Sequence, residues 1–236
     1  NKTIRDHELH TICTSGKCPN AAECWGAGTA TFMILGDICT RACKFCNVKT
    51  GRPEAVDYKE PLRIARSIKI MKLRHAVITS VDRDDLPDGG AGIWVETIKM
   101  VIDAQPEVIS HNVETVRRLT PQIRSRAKYD VSLDVLKYIA DAGCIAKSGI
   151  MLGLGETQEE VLETMKDLRD VGVRVLTIGQ YLQPSPKHLP VQEYIKPAQF
   201  RFYKEEGLNM GFKFVESSPL VRSSYHAERH INALKD

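Results

Sequence analysis

Short apolar segments alternate with amphipathic segments along most of this chain, and the alternation predicts its elements. Segments rich in β-branched and aliphatic residues are typical of buried strands. The predicted strands are 31–36, 75–81, 107–113, 148–154, 173–181 and 212–215. Apolar residues that recur at three- and four-residue spacing predict helices. The predicted helices are 61–73, 93–104, 132–142, 157–172 and 197–208. Residues 1–29 are polar and predict a loop-like segment.

The order of these elements predicts the fold class. A strand followed repeatedly by a helix gives a parallel sheet with helices outside it, either as a barrel or as an open doubly wound sheet. Thr157 and Glu160 have the spacing of a capping box at the start of one helix. Gly143 can take a left-handed cap at the end of another. The sequence therefore predicts an α/β protein whose chemistry lies on the loops after the strands.

The composition is that of an ordinary globular chain. The 236 residues are 42% hydrophobic and 27% charged, which excludes a wholly disordered chain. The net charge of +3 is small and evenly spread, so we expect no nucleic-acid or membrane partner. No apolar run approaches the ~18 residues of a membrane span. No charged-then-apolar leader follows Asn1, so we expect no signal peptide.

The cysteines are unevenly distributed along the chain. Six of the seven cysteines lie between Cys13 and Cys46, and the seventh is Cys144. Small disulfide scaffolds are short, whereas this chain is long enough to form a hydrophobic core. Ligation of a metal or a cluster in a reducing compartment is the better interpretation, and it predicts a cytoplasmic protein. We expect Cys144, at the end of a predicted helix, to be a small buried residue.

One cysteine triplet directly follows the first predicted strand. Cys39, Cys43 and Cys46 are separated by three and two residues. Three thiolates on a tight loop can hold three irons of a [4Fe-4S] cluster, and the fourth iron is then open to a small-molecule chelate. The alternative is zinc, but structural zinc sites use four ligands, usually in two close pairs. No fourth cysteine or histidine lies beside this triplet.

The spacing of this triplet, with an aromatic residue before its last cysteine, resembles the motif of the radical S-adenosylmethionine (SAM) superfamily. A second triplet lies upstream, with four and five residues between Cys13, Cys18 and Cys24. The combination of these two triplets, in this order, resembles the cysteine pattern of the lipoyl synthase family. Further segments that resemble this family, in the same order, are 31–36, 79–86, 111–115, 147–156, 180–184 and 222–225.

The resemblance implies a fold and a division of the chain. The expected fold is a partial (β/α)6-type, TIM-like barrel of parallel strands over residues 30–190. An N-terminal extension, 1–29, would carry the upstream cysteines, and a C-terminal extension, 191–236, would supply a serine ligand. The chain departs from the family between Ala91 and His111, where it is about one strand–helix unit shorter.

The resemblance also implies an activity. Lipoyl synthases insert two sulfur atoms, at C6 and C8, into an octanoyl group carried on a lysine of an acceptor protein. Their cofactors are SAM and two [4Fe-4S] clusters. One electron splits SAM to give a 5′-deoxyadenosyl radical, which removes hydrogen from the octanoyl chain. An auxiliary cluster donates the sulfur.

The resemblance assigns ligands to both clusters. Cys39, Cys43 and Cys46 would hold the SAM-cleaving cluster. The auxiliary cluster would be held by three further cysteines and one serine, namely Cys13, Cys18, Cys24 and Ser224. Ser223 is the alternative serine ligand. A helix N-cap is the structural alternative for either serine.

The SAM pocket is assigned by motif alone. The residues expected to contact the cofactor are Thr79, Asn112, Glu114, Lys147, Met151, Gln180 and Tyr181. Each of them has a purely structural alternative. The expected partners are octanoylated lipoyl carrier domains, in the E2 subunits of 2-oxoacid dehydrogenases and in glycine cleavage H protein, and a flavodoxin or ferredoxin reductant. The arginines at 117–118 and the basic group at 124–128 suggest a solvated face, or a dock for an acidic carrier domain.

Two other functions stay open on the residues alone. One is another two-cluster radical SAM enzyme, such as a methylthiotransferase or a biotin-synthase-like enzyme. The other is a non-catalytic iron–sulfur electron carrier or zinc-binding module. The serine-containing segment 222–225 argues against the first, and the long strand–helix alternation argues against the second.

Overall fold

The computed structural model describes residues 9–16, 18, 20–26, 29–70, 75–101, 108–124, 128–141 and 143–222. Its strands are β1 His10–Thr11, β2 Thr29–Ile34, β3 Ile38–Cys39, β4 Lys49–Thr50, β5 His75–Ser80, β6 Val108–Ser110, β7 Ile145–Leu152, β8 Val175–Gln180 and β9 Phe214–Ser217. Its helices are α1 Ile12–Ser15, α2 Ala21–Gly26, α3 Glu60–Ile70, α4 Ala91–Val101, α5 Thr120–Ile123, α6 Tyr129–Asp141, α7 Gln158–Asp170 and α8 Pro197–Asn209. The predicted strands and helices are confirmed to within a few residues at each end.

The chain divides into two compact units. The first unit comprises residues 1–42 and 46–105, and the second comprises 43–45 and 106–236. Within the first unit, β2 pairs parallel with β5, from Thr29 opposite His75 to Ile34 opposite Ser80. The edge strand β1 pairs antiparallel with β2. A separate two-stranded parallel ladder joins β3 and β4.

The core of the first unit lies on β2. Phe32 and Ile34 are fully buried and pack with Ile64 of α3 and Ile93 of α4. A strand covered on both faces needs apolar residues throughout, which explains the continuous apolar run that marked this strand in the sequence.

The second unit contains a four-stranded parallel sheet in the order β6-β7-β8-β9. Every residue of β8 is buried. Leu136, Met165 and Phe200 pack from α6, α7 and α8 into the same core. Strands joined through helices and paired in parallel confirm the predicted α/β class. The sheets of the described residues form no closed barrel.

Both predicted helix signals are confirmed in the second unit. The Thr157 hydroxyl accepts the Glu160 N–H at 3.3 Å, and the Glu160 carboxylate accepts the Thr157 N–H at 2.8 Å. These two bonds form the capping box that starts α7. Gly143 has a φ of 81°, so the left-handed end of α6 has the residue it requires.

The loop-like prediction for residues 1–29 is wrong for much of its described part. Strand β1 and helices α1 and α2 occupy this region. The Thr11 hydroxyl accepts the Cys13 N–H at 3.2 Å, which caps α1, and donates to the Thr31 carbonyl at 2.6 Å. A four-residue helix shows no hydrophobic periodicity, so the pattern could not reveal it. Among the described helices, none has the length and hydropathy needed to cross a membrane.

Candidate active site

The sulfur of Cys39 lies at the end of β3 and receives two main-chain donors. Its Sγ accepts the N–H of Arg41 at 3.4 Å and that of Asp82 at 3.3 Å. The Cys39 thiol also lies 3.9 Å from a carboxylate oxygen of Asp82. Main-chain N–H groups commonly donate to the sulfur ligands of iron–sulfur clusters. The surroundings of Cys39 therefore fit a cluster ligand.

A left-handed turn leads into this cysteine. Leu35 and Gly36 have φ values of 69° and 94°. The Leu35 N–H donates to the Glu60 carboxylate at 2.7 Å, and Arg83 donates to the Leu35 carbonyl at 3.3 Å. Glu60 and Arg83 are both buried, and burial raises the pKa of the Glu60 carboxyl. Two side chains of opposite charge thus hold both main-chain polar groups of Leu35, just before β3.

Arg41 forms ion pairs with two aspartates of the segment that follows β5. Arg41 donates to Asp84 at 2.8 and 3.0 Å and contacts Asp82 at 3.0 Å. The hydrogen bond to Asp84 is the main cause of the raised pKa of Arg41, ahead of its interaction with Asp82. Sequence reasoning missed Arg41, Asp82 and Asp84. The acidic run after the strand was a signal, but the spacing of 43 residues gave no way to pair it with Arg41.

The remaining cysteines of this loop are half-buried. Cys46 belongs to the first unit and Cys43 to the second. Within the second unit, the N–H of Lys44 donates to the Ile123 carbonyl at 3.3 Å. All seven cysteines are described, and none forms a disulfide. Among the described residues, no three His, Cys, Asp or Glu side chains surround a position for a single metal ion. Three thiols on one short loop are the donor set of an iron–sulfur cluster.

Two of the upstream cysteines lie on the short helices after β1, and Cys18 lies between those helices. Cys13 is buried in α1, and its carbonyl accepts the Cys18 N–H at 3.0 Å. Cys24 lies in α2. The Asn47 side chain, directly after Cys46, donates to the Ser15 carbonyl at 2.8 Å. Within the first unit, the structure therefore brings the two cysteine segments into contact. Ser223 and Ser224 lie outside the described residues.

Four of the predicted cofactor residues lie together in the second unit, at the end of β6 and along β7. These residues are Asn112, Glu114, Lys147 and Met151. The Glu114 N–H donates to the Gly149 carbonyl at 3.0 Å, and the Glu114 carbonyl accepts the Met151 N–H at 2.8 Å. A Cβ on Gly149 would lie 2.6 Å from the Thr177 hydroxyl and 3.1 Å from the Asn112 amide oxygen, so glycine leaves room for both side chains.

Two opposite charges are buried in this group. Burial lowers the pKa of Lys147 to about 8, although the nearby Glu114 carboxylate opposes the shift. Burial also raises the pKa of Glu114, against the attraction of Arg124 and Lys147. Glu114 has a φ of 67°, a conformation that is uncommon outside glycine and that clusters at functional sites.

Gln180 and Tyr181 hold the chain that follows β8. The Gln180 amide nitrogen lies 3.0–3.1 Å from three main-chain carbonyls, and its oxygen accepts the Ile195 N–H at 2.9 Å. The Tyr181 hydroxyl donates to the Leu189 carbonyl at 2.8 Å. Both side chains make structural contacts in the second unit. Thr79 lies on β5 in the first unit, half-buried.

Three arginines of the two basic groups, 117–118 and 124–128, are engaged by acids or carbonyls, whereas positions 125–127 lie outside the described residues. Arg117 pairs with Asp130 and Asp167, and Arg118 pairs with Glu160. Arg124 is half-buried and donates to the carbonyls of residues 112 and 113 at 3.2 Å. The expectation of a solvated face is therefore wrong for Arg124. Arg117 and Arg118 are exposed, and each already pairs with a carboxylate of this chain.

Comparison with known proteins identifies the class. The radical SAM superfamily profile matches residues 91–168. Streptococcus suis SuiB bound to S-adenosylmethionine has a TM-score of 0.61 at 11% identity, covering 96% of this chain and 55% of that one. Methylornithine synthase PylB has a TM-score of 0.53 at 11% identity, covering 96% and 90%. The fold is that of the radical SAM enzymes, to which the cysteine loop also points.

Curated relatives identify the family within that class. Lipoyl synthase from Parabacteroides distasonis is 59% identical and covers 97% of this chain and 90% of its own length. The enzymes of Flavobacterium psychrophilum and Treponema denticola are 60% and 58% identical, covering 97% and 98% of this chain and 88% and 89% of theirs. The chain belongs to the lipoyl synthase family, a family of radical SAM sulfur-inserting enzymes that use SAM and [4Fe-4S] clusters. This membership decides against the non-catalytic and other two-cluster alternatives.

The same alignments bear on the shorter stretch noted in the sequence. The alignment to the Parabacteroides enzyme runs over 254 residues, whereas this chain has 236. At least 18 aligned positions of the relative therefore have no residue here. A gap of that size agrees with the absence of about one strand–helix unit.

Proposed function

We propose that this lipoyl synthase inserts sulfur at C6 and C8 of a protein-bound octanoyl-lysine, with the two cysteine triplets each holding one [4Fe-4S] cluster. The contact between Asn47 and the Ser15 carbonyl carries the proposal, because it places the two cysteine segments side by side in one unit. An unactivated C–H bond offers no acidic proton and no leaving group. The clusters and SAM supply the radical chemistry that such a bond requires.

Cys39, Cys43 and Cys46 hold the cluster that binds SAM in this proposal. The two N–H donors at the Cys39 sulfur support its role as a thiolate ligand. Glu60 and Arg83 support a fixed main-chain conformation before the cysteine loop, since their side chains hold the N–H and the carbonyl of Leu35.

Cys13, Cys18, Cys24 and Ser224 hold the auxiliary cluster, which donates the sulfur. A serine oxygen is a hard ligand among soft thiolates, and a weaker bond to iron would favour the loss of that iron during turnover. The hydrogen bond between the main chains of Cys13 and Cys18 supports a compact upstream triplet.

The SAM pocket includes the buried group around β7. Asn112 and Glu114 orient the hydroxyls of the cofactor, and Lys147 contributes a positive charge close to Glu114. Met151 gives an apolar contact. Gln180 and Tyr181 shape the pocket through the main chain that they hold. Thr79, on β5 of the first unit, is assigned to the cofactor by its motif alone.

The acceptors are lipoyl carrier proteins, specifically the carrier domains of 2-oxoacid dehydrogenase E2 subunits and of glycine cleavage H protein. A flavodoxin or ferredoxin supplies single electrons. Cysteines that ligate clusters rather than pair as disulfides are typical of a reducing compartment, and the location in this proposal is the cytoplasm. Residues 1–29 and 191–236 act as cluster-binding extensions of the core at 30–190.

Substitution of one cysteine from each triplet tests these roles. Cys43→Ala is expected to abolish reductive SAM cleavage. Cys18→Ala is expected to keep SAM cleavage but to lose sulfur insertion into an octanoyl-lysine peptide. Cys144→Ala, outside both triplets and half-buried, is the matched control and should retain both activities. Wild-type protein should hold about eight irons after anaerobic reconstitution, and each triplet variant about four.

Loss of SAM cleavage in Cys18→Ala, with about four irons still bound, would contradict the division of roles. Zinc in place of iron in the wild-type protein would contradict both cluster assignments.

A further inference from the structure

The guanidinium of Arg41 joins two carboxylates of the segment that follows β5. Its Nε and Nη2 donate to Asp84 at 3.0 and 2.8 Å, and its Nη1 lies 3.0 Å from Asp82. A planar fork suits this two-carboxylate arrangement, whereas an ammonium group does not reproduce it. The side chains of Arg41 and Asp84 are only 30% and 29% exposed, so water screens this pair in part.

Thr40 fixes the main chain beside this ion pair. Its N–H donates to the Asp82 carbonyl at 3.0 Å, and its hydroxyl lies 2.9 Å from that carbonyl and from the Asp84 carboxylate. The Asp84 N–H donates in turn to the Thr40 hydroxyl at 3.0 Å. Residues 40–41 and 82–84 are therefore held together by both main-chain and side-chain bonds.

The two N–H groups aimed at the Cys39 sulfur belong to the residues that the ion pair joins. The Arg41 N–H lies 3.4 Å from that sulfur, and the Asp82 N–H lies 3.3 Å from it. Separation of the two segments would carry the Asp82 donor away from the sulfur. The Arg41 donor would lose its support from the carboxylates.

We propose that Arg41, Asp82 and Asp84 form a latch that raises the reduction potential of the cluster held by Cys39. Hydrogen bonds to the sulfur ligands stabilise the reduced, more negative cluster. Reduction adds one electron from a single-electron donor, changes the cluster charge from 2+ to 1+, and moves no proton. The inference rests on the proposed assignment of Cys39 as a ligand. Since the three residues act through that sulfur, they are positioning residues.

Two variants separate this latch from a simple effect of charge. Arg41→Lys keeps the positive charge but loses the fork, so a charge effect alone predicts no change in potential. Asp84→Ala removes a negative charge, which by itself would raise the potential, whereas loss of the latch lowers it. Asp37→Ala is the matched control, because Asp37 lies two residues before Cys39 and pairs only with exposed Lys49, at 3.1 Å, among the described contacts.

The measurement is an anaerobic potentiometric titration of the reconstituted full chain with dithionite, followed by electron paramagnetic resonance. SAM is added to identify the cluster with the open iron, since its signal alone should change. Arg41→Lys and Asp84→Ala are each expected to lower the equilibrium constant for one-electron reduction about tenfold, which is about 59 mV for a one-electron couple. Asp37→Ala is expected to keep or slightly raise the wild-type potential.

A wild-type potential in Arg41→Lys, or a higher one in Asp84→Ala, would overturn the latch. A wild-type protein with no SAM-sensitive signal would instead contradict the proposed function. If both variants lose the cluster, amide hydrogen exchange in the cluster-free chain decides. The proposal then requires faster exchange at Arg41 and Asp82 in Arg41→Lys than in wild type, and equal rates would overturn it.

Discussion

Leu35 adopts a left-handed conformation that costs a residue with a side chain roughly 1–2 kcal/mol. The buried pair that holds its peptide groups, Glu60 and Arg83, offsets this cost with charge-assisted hydrogen bonds. This strain lies four residues before Cys39, and Glu114 is the other described non-glycine residue with a positive φ. The main-chain conformation of Leu35 therefore depends on the buried charged side chains of Glu60 and Arg83 more than on the hydrophobic residues around it.

Glu60→Ala is expected to leave the Leu35 N–H buried without its acceptor. Such a loss costs about 1–3 kcal/mol, so the free energy of unfolding should fall by that amount in a denaturant titration. Glu60→Gln keeps an acceptor oxygen and is the matched control, with a smaller expected loss. Equal stability of the alanine variant and the wild type would contradict this role.

Lys147 predicts a dependence of stability on pH. Its folded pKa, about 8, lies below its ordinary value of 10.5. Between these values the unfolded chain binds more protons, so stability should rise as the pH rises from about 8 to about 10.5. Below about pH 8 Lys147 is charged in both the folded and the unfolded chain, so the loss of stability from burying that charge is largest there and no longer changes with pH. Lys147→Met should remove this rise.

Unfolding of the cluster-free chain at pH 7.5, 9 and 10.5 measures the effect. Lys137→Met is the control, since Lys137 is exposed and pairs with Asp141 on the same helix. A pH profile of Lys147→Met that matches that of the wild type would argue against a lowered Lys147 pKa.

At the level of elements, the predicted strands and helices from 29 onward were recognisable because each buries apolar residues. The short elements β3, β4 and α5 were not predicted, since elements of two to four residues show no periodicity. Strand β1 and helix α1 could not be predicted, since α1 is stabilised by the Thr11 cap and by the pairing of β1 with β2, and neither leaves a periodic pattern in the sequence. The cysteine triplets could be recognised in the sequence from the number of residues between the cysteines. The latch of Arg41 with Asp84 could not be recognised, because a contact between residues 43 positions apart leaves no local pattern.

Asn47→Ala removes a hydrogen bond between the loop after Cys46 and helix α1. We expect the SAM-binding triplet to keep its cluster and SAM cleavage to persist. Sulfur insertion should fall several-fold, because the auxiliary triplet loses a contact that positions it. Iron content, 5′-deoxyadenosine and peptide product measured together give the ratio of cleavage to insertion. The exposed Asn209→Ala is the control, and an unchanged ratio in Asn47→Ala would contradict this role.

At the scale of the whole molecule, parallel strands recur in both units, and the upstream cysteines and Cys39 share the first one. The predicted gap falls between β5 and β6, which belong to different sheets. The fold class followed from element order alone. The family followed from the order of motifs and is confirmed by relatives that match along nearly the whole chain.

In the proposed function, one cysteine triplet generates the radical and the other gives up sulfur. The most direct test reconstitutes the protein with ³⁴S-sulfide, removes free sulfide, and follows an octanoyl-lysine peptide by mass spectrometry after addition of SAM and dithionite. We expect two ³⁴S atoms in the peptide product of the wild type, and no ³⁴S-labelled product from Cys18→Ala. A product with unlabelled sulfur, or labelled product from Cys18→Ala, would contradict the proposed function.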